Sequence, residues 1–186
     1  MSDRRKHQSR GLALATERLQ AREVSRVLDL GSAVGSNVSF FSHYEVQLTI
    51  ADLRVAIRGD DLGAELDRVL ALENALPSYD LVLGWDLFSY MDRAAIEILM
   101  SRIARSCRAG TLLFLTASTG AMIPSQPARI TMNQRGRLDY QSDVAAQSIA
   151  NPRFSPTALE GMMPGFRLLH SFLLGDEMQE FLFSYT

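Results

Sequence analysis

The sequence predicts an α/β fold: a doubly wound, mostly parallel seven-stranded sheet with helices on both faces and a C-terminal antiparallel hairpin. Three observations predict it. Strand-like apolar runs alternate with helix-like segments over residues 11–117, which implies parallel strands joined by right-handed crossovers. Residues 80–84 are too apolar to have a wet face, and strands buried on both faces belong to parallel sheets covered by helices. Residues 166–174 and 177–185 are β-rich runs separated by Gly175-Asp176, a hairpin signal.

Residues 1–10 are polar and basic and are expected to form a flexible tail; residues 11–186 are expected to form one domain. Residues 11–23 mix Leu12, Leu14, Ala15 and Leu19 with Glu17, Arg18 and Arg22, as a helix does. Strands are expected at 24–30, 46–51, 68–72, 80–84 and 111–116. Helical segments are expected at 35–43 and 62–66, and Pro77 marks a break. Asp92 suits the N-cap of the next helix. Ile96, Leu99, Met100, Ile103, Ala104 and Cys107 then recur as one apolar stripe. Cys107 reads as a small core residue on that stripe, and Gly110 as its stop. Residues 118–156 break the alternation, with Pro124, Pro127 and Pro152 among them. Within this excursion 128–132 and 138–141 are expected to pair across 133–137. Ser155 and Pro156 are expected to open a short helix.

Composition narrows the function. The 186 residues are 47% apolar and 22% charged, with net charge −2. Such a chain has no global basic field for nucleic acid. One cysteine and three scattered histidines offer neither a disulfide framework nor metal-site spacing, so no metal is expected. No apolar run reaches the length of a membrane span. The basic N-terminus lacks the apolar core of a signal peptide, so a cytoplasmic location is expected.

The most informative stretch is Asp29-Leu30-Gly31-Ser32-Ala33-Val34-Gly35, between the first strand and its helix. Glycines at such a turn permit φ > 0 and close approach of a ligand to bare peptide groups. The first N–H groups of the helix point into the same space. Asp52 ends the next strand, where an acid can accept two hydrogen bonds from a ribose diol. Asp29, Gly31, Asp52, Glu73, Asn74, Trp85 and Asp86 all follow strand ends, so they converge on one rim. The dinucleotide pattern Gly-x-Gly-x-x-Gly fails at Ala33 and Ser36. Acid-x-Gly-x-Gly-x-Gly is met at Asp29, Gly31 and Gly35, with Ala33 in the middle place. Here the sequence resembles the class I S-adenosylmethionine-dependent methyltransferases, and the resemblance continues through 79–86 and 108–113.

That resemblance implies an S-adenosyl-L-methionine cofactor over the strand ends. Asp29 and Gly31 would flank its methionine portion, with Gly35 opening the helix beneath it; Ser32 and Ala33 of the same turn would also bind the cofactor, and Asp52 would hold its ribose. Leu53 would lie against one adenine face, and Glu73 and Asn74 would read the adenine amino group. Trp85 and Asp86 would line the methyl end. If position 33 required φ > 0, Ala33 would cost about 1–2 kcal/mol. In-line methyl transfer depends mainly on positioning; a base is needed only where the acceptor must lose a proton. Asp86, Tyr90 and His43 are the candidates, and no motif marks any of them. The expected activity is methyl transfer to a small-molecule acceptor, with the N-terminus, first helix and excursion covering it. A protein partner is left open. The alternatives are a non-catalytic methyltransferase-like binding or regulatory subunit and, should NAD(H) bind, a nicotinamide-dependent reductase.

Overall fold

The computed structural model describes residues 2–20, 25–57, 67, 78–133, 136–143 and 147–186. The first half holds β1 (Ser2–Gln8), α1 (Arg10–Gln20), β2 (Ser25–Asp29), α2 (Gly35–Phe41), β3 (Val46–Ile50) and α3 (Leu53–Ala56). Then come β4 (Tyr79–Trp85), a 3-10 turn (Leu87–Tyr90), α4 (Arg93–Ala104) and β5 (Cys107–Ser118). The excursion forms β6 (Met122–Pro124), β7 (Arg129–Met132), β8 (Arg137–Asp143) and β9 (Ser148–Ala150). The chain closes with α5 (Pro156–Met162), β10 (Phe166–Gly175) and β11 (Met178–Tyr185).

The main sheet runs β10-β11-β5-β4-β2-β3. Its β3, β2, β4 and β5 are parallel, and β11 pairs antiparallel with both β5 and β10. It has six strands among the described residues, not seven. The expected strand at 68–72 and the helical turn at 62–66 lie outside those residues.

Alternation along each strand splits the core in two, because successive side chains leave a strand on opposite faces. Leu28, Val82, Leu113, Leu115, Phe181 and Phe183 pack with α4, α5 and the 3-10 turn. Val27, Leu81, Leu83, Leu112, Phe114 and Leu182 pack with α1, α2, β7 and β8. The same parity puts Asp29, Trp85, Thr116 and Glu180 on the second face, the face on which the site is built.

Local chemistry fixes the helix starts as expected. The Asp92 side chain accepts from Ala95 N at 2.8 Å and that of Ser155 from Ala158 N at 3.2 Å. Gly110 does not end α4. The helix stops at Ala104, and Gly110 sits inside β5 at φ +88°, in an irregular stretch where the Thr111 hydroxyl donates to Tyr79 O at 2.6 Å. Cys107 therefore opens β5 instead of extending the helical stripe. It is half-buried and donates to Ile103 O at 3.3 Å. Burial pushes its thiol up to about 12, which leaves it a packing residue.

The N-terminus is not a frayed tail. Residues 2–8 pair antiparallel with β8, from Ser2↔Asp143 to Gln8↔Arg137. Together with β7, paired to β8 as the expected hairpin, they form a second sheet, β1-β8-β7. A tail of charged residues becomes a strand because the excursion offers it an edge, and backbone pairing asks little of side-chain type.

Candidate functional site

β2 and β4 end side by side, with Leu30 N donating to Leu83 O at 3.0 Å. Asp29, the last residue of β2, is 1% exposed. Its Oδ1 accepts from Gly31 N at 2.8 Å and from the indole Nε1 of Trp85 at 2.5 Å. Its Oδ2 is buried and has no hydrogen-bond partner among the described residues. Burial holds this carboxyl above the ordinary aspartate range, and the two hydrogen bonds only partly offset it.

The turn that follows needs glycine for proximity. Neither Gly31 nor Gly35 lies in the left-handed region, and neither does Ala33, so the alanine carries none of the conformational cost it would have at φ > 0. A Cβ on Gly31 would stand 2.7 Å from Cδ1 and Nε1 of Trp85. Gly35 opens α2, and no described residue comes within 4 Å of the place a Cβ would take. Ser32 is half-buried and Ala33 exposed on the same turn.

Trp85 closes the turn from the β4 side. It is 4% exposed and sits at φ +49°, an uncommon conformation for an aromatic residue. The indole lies against Gly31 and meets Phe114 edge-on, 6.1 Å between centroids. Backbone strain of this kind persists where surrounding contacts over-determine it, often at functional sites.

Asp86 comes next. It is 7% exposed and its Oδ2 accepts from Ala128 N at 3.3 Å. Burial raises its pKa to about 6, against the pull of that N–H and of the Arg54 charge.

Asp52 stands on the same rim, close enough to Asp29 for its charge to be felt there. Its two oxygens are already forked by Arg54, Oδ1 to Nε and Oδ2 to a terminal nitrogen, both at 3.1 Å. Both side chains are about a third exposed, 34% and 30%, so the pair is one that solvent screens.

Three expectations are corrected or fall outside the described residues. Leu53 is 0% exposed and sits in the core on the α4 side, so it presents no face to an adenine. His43 follows the far end of α2, exposed, its Nδ1 2.9 Å from Ser39 O. A helix leaving the carboxyl ends of the strands carries its last turn to the opposite edge, so His43 is no candidate base. Glu73 and Asn74 lie outside the described residues. Tyr90, the remaining candidate, is half-buried and donates from its hydroxyl to Gln126 O at 3.1 Å.

Among the described residues, two spaces that share a wall open at the ends of β2 and β4. A cleft of about 10 Å³ lies between Gly31, Ser32, Arg54, Trp85 and Asp86, room for about one water. A larger cavity of about 220 Å³ lies under the small sheet. Asp86 and Ala128 are in the walls of both. The roof is stapled by Asn37 of α2, which donates to Ile130 O at 3.2 Å and accepts from Met132 N at 2.8 Å.

Sequence reasoning missed Asn37, Arg54 and Tyr140. Arg54 had a readable signal, a cation two residues after Asp52. Tyr140 had half of one: it shares the parity of Leu138 in a predicted hairpin, but nothing local says what that face covers.

No protein-family model matches the sequence, and no curated protein sequence matches it. The fold, by contrast, matches solved structures. An S-adenosylmethionine-dependent methyltransferase from Clostridium acetobutylicum superposes with TM-score 0.55 at 10% identity, over 94% of this chain and 88% of that one. The 1,6-didemethyltoxoflavin-N1-methyltransferase of Burkholderia thailandensis, solved with 1,6-didemethyltoxoflavin and S-adenosylhomocysteine, gives 0.54 at 15%, over 95% and 79%. A TehB-like SAM-dependent methyltransferase from Corynebacterium glutamicum gives 0.51 at 12%, over 95% and 88%. The chain has the class I S-adenosylmethionine-dependent methyltransferase fold. At these identities the likeness is one of fold, and fold alone does not transfer a substrate.

Proposed function

We propose that this protein is an S-adenosyl-L-methionine-dependent methyltransferase acting on a small-molecule acceptor. The observation that carries the proposal is the Asp29 carboxylate, buried at the rim with Oδ2 unpartnered among the described residues. A buried anion without a full set of donors is costly, and an ammonium group of a ligand would complete the set. The residues present fit the cofactor: Asp29 for the ammonium, the open α2 N-terminus at Gly35 for the carboxylate, Asp52 for the ribose hydroxyls once it exchanges Arg54 for them. When bound, the cofactor supplies an activated methyl group on a sulfonium. The chain's own task is then to hold an acceptor in line and, for a protic acceptor, to take its proton. Asp86 suits that task, since it borders both spaces and burial has raised its pKa toward neutrality.

Calorimetric titration of the protein with S-adenosylmethionine tests this. Saturable heat is expected, with affinity lowered at least tenfold by Asp52→Ala, the loss of about two hydrogen bonds to a charged acceptor. No heat at millimolar cofactor overturns the proposal. One observation favours a second role, a non-catalytic methyltransferase-like binding subunit: Trp85 and the Asp52–Arg54 pair leave the cleft almost filled.

The same cleft yields a spectroscopic prediction. The indole must leave Asp29 and Gly31 for an adenosyl sulfonium to enter. Trp85 is the only tryptophan of the chain, so its emission reports this site alone. Saturation with S-adenosylhomocysteine is expected to shift that emission; an unchanged spectrum at demonstrated saturation means the indole stays in place.

A further inference from the structure

A further cavity, of about 180 Å³, lies at the carboxyl end of β5. Strand parity puts it on the α4–α5 face, across the sheet from Asp29. On that face β5 presents Leu113, Leu115 and then Ala117, paired in turn with Phe183, Phe181 and Gln179 of β11. The row loses its bulk at Ala117, and the space opens there. Gln179 does not fill it, because its Nε2 is drawn to Ser171 Oγ of β10 at 2.7 Å. Phe88, Phe154 and Leu159 complete the apolar wall. Among the described residues of that wall Arg153 carries the one formal charge, while Asp86 and Glu177 line the larger cavity instead. No carboxylate among the described residues pairs with the Arg153 side chain. Arg153 sits at φ +49°, a conformation that disfavours a residue with a Cβ. Its N–H donates to Asn151 Oδ1 at 3.2 Å, and Asn151 Nδ2 donates to Ser118 O at 2.9 Å and Gly120 O at 2.8 Å. Asn151 is 9% exposed, so a buried tie to the end of β5 fixes Arg153 at the cavity. Strain over-determined in this way gathers at functional positions.

We infer that this cavity binds a small aromatic carboxylate, its ring among Phe88, Phe154 and Phe181 and its carboxylate on the Arg153 guanidinium. Size sets the ring. An apolar cavity of about 150 Å³ takes up benzene, so one of about 180 Å³ admits a single ring with a short arm. Aromatic walls receive such a ring edge-on or offset. The planar guanidinium fork matches a carboxylate with two parallel hydrogen bonds. A cation of the same skeleton meets like charge there and is repelled. No step of this binding uses the cofactor cleft, so the inference does not rest on the methyl-transfer function.

The test is calorimetry on the full chain at low ionic strength, where an exposed guanidinium is least screened. The probes are phenylacetate, its neutral amide phenylacetamide, the amine 2-phenylethylamine, and acetate. Phenylacetate is expected to give saturable heat, and phenylacetamide to bind roughly five- to tenfold more weakly. Acetate lacks the ring and 2-phenylethylamine has the wrong charge, so neither is expected to bind. Arg153→Gln is expected to bring phenylacetate down to the affinity of the amide and to leave the amide unchanged. Arg153→Lys keeps the charge and loses the fork, so part of the preference should remain. Arg153→Gly suits the left-handed backbone; it should melt no lower than wild type while losing the preference. An arginine with no ligand would leave the acid-to-amide ratio the same in wild type and Arg153→Gln. Ala117→Leu restores the missing bulk and is expected to abolish binding of acid and amide alike, its melting curve showing that it folds. The inference is overturned by no heat with millimolar phenylacetate, by equal affinity for acid and amide, by a ratio that Arg153→Gln does not move, or by binding that survives Ala117→Leu. Titration with S-adenosylmethionine is a separate experiment, and its failure would remove the methyl-transfer function without touching this site.

Discussion

Replacing Asp86 by asparagine is expected to slow methyl transfer by roughly 10²–10⁴-fold, the usual contribution of a positioned general base, while making the protein more stable at neutral pH. The two effects share one cause. The carboxyl is 7% exposed, and burial lifts its pKa from 3.8 to about 6. A carboxyl whose folded pKa is raised binds its proton more tightly in the native state than in the unfolded one. Its stability contribution is therefore full below pH 3.8 and is lost as pH rises through about 6. Near pH 7 the ionised group costs the fold on the order of 2–3 kcal/mol, which asparagine does not incur. The melting temperatures of variant and wild type should agree near pH 4 and below, draw apart as pH rises from about 4 to about 6, and keep that gap above it. The groups whose charge bears on Asp86 or feels it are Arg54 of α3 and Tyr140 of β8, and burial pushes the Tyr140 hydroxyl further above its ordinary range. The wild-type rate should climb through the same pH, because only the carboxylate accepts a proton. A variant of wild-type activity would mean that Asp86 takes no proton from the acceptor.

Truncating Phe114 to alanine should cost the most stability. Its ring is 0% exposed, meets Trp85 at 6.1 Å and lies so close to α1 that a Cβ on Gly11 would come 2.9 Å from it. Collapse into the vacated space is blocked on one side by the main sheet and on another by α1. Phenylalanine-to-alanine changes in such places cost about 3–5 kcal/mol, which for a chain of this size lowers Tm by roughly 10 °C. Denaturant unfolding measures the loss, and tryptophan emission of the still-folded variant reports whether Trp85 has loosened with it. A loss under about 1 kcal/mol would mean the core there relaxes freely.

Much of the frame was legible because its signals are local. Asp92 and Ser155 announce helix starts through side-chain oxygens that cap within three residues. The run through 80–84 announces a doubly buried strand, and Gly175-Asp176 a hairpin. The convergence of Asp29, Gly31, Asp52, Trp85 and Asp86 on one rim follows from parallel strands alone. Misplaced elements were those whose partner is distant. Residues 2–8 form a strand only because β8 lies beside them, and Gly110 serves an irregularity within β5 because Thr111 finds the Tyr79 carbonyl 2.6 Å away.

By itself the sequence determined the architecture and the edge at which chemistry gathers, since period and spacing are properties of neighbours along the chain. Only the tertiary structure decided how that edge is filled: the Trp85 indole on Gly31, the Arg54 fork on Asp52, the cap sheet that carries Tyr140 over Asp86. Those contacts join residues as far apart as 54 places in sequence, as with Asp86 and Tyr140. Packing and charge act through space, and no period in the letters encodes which distant faces will meet.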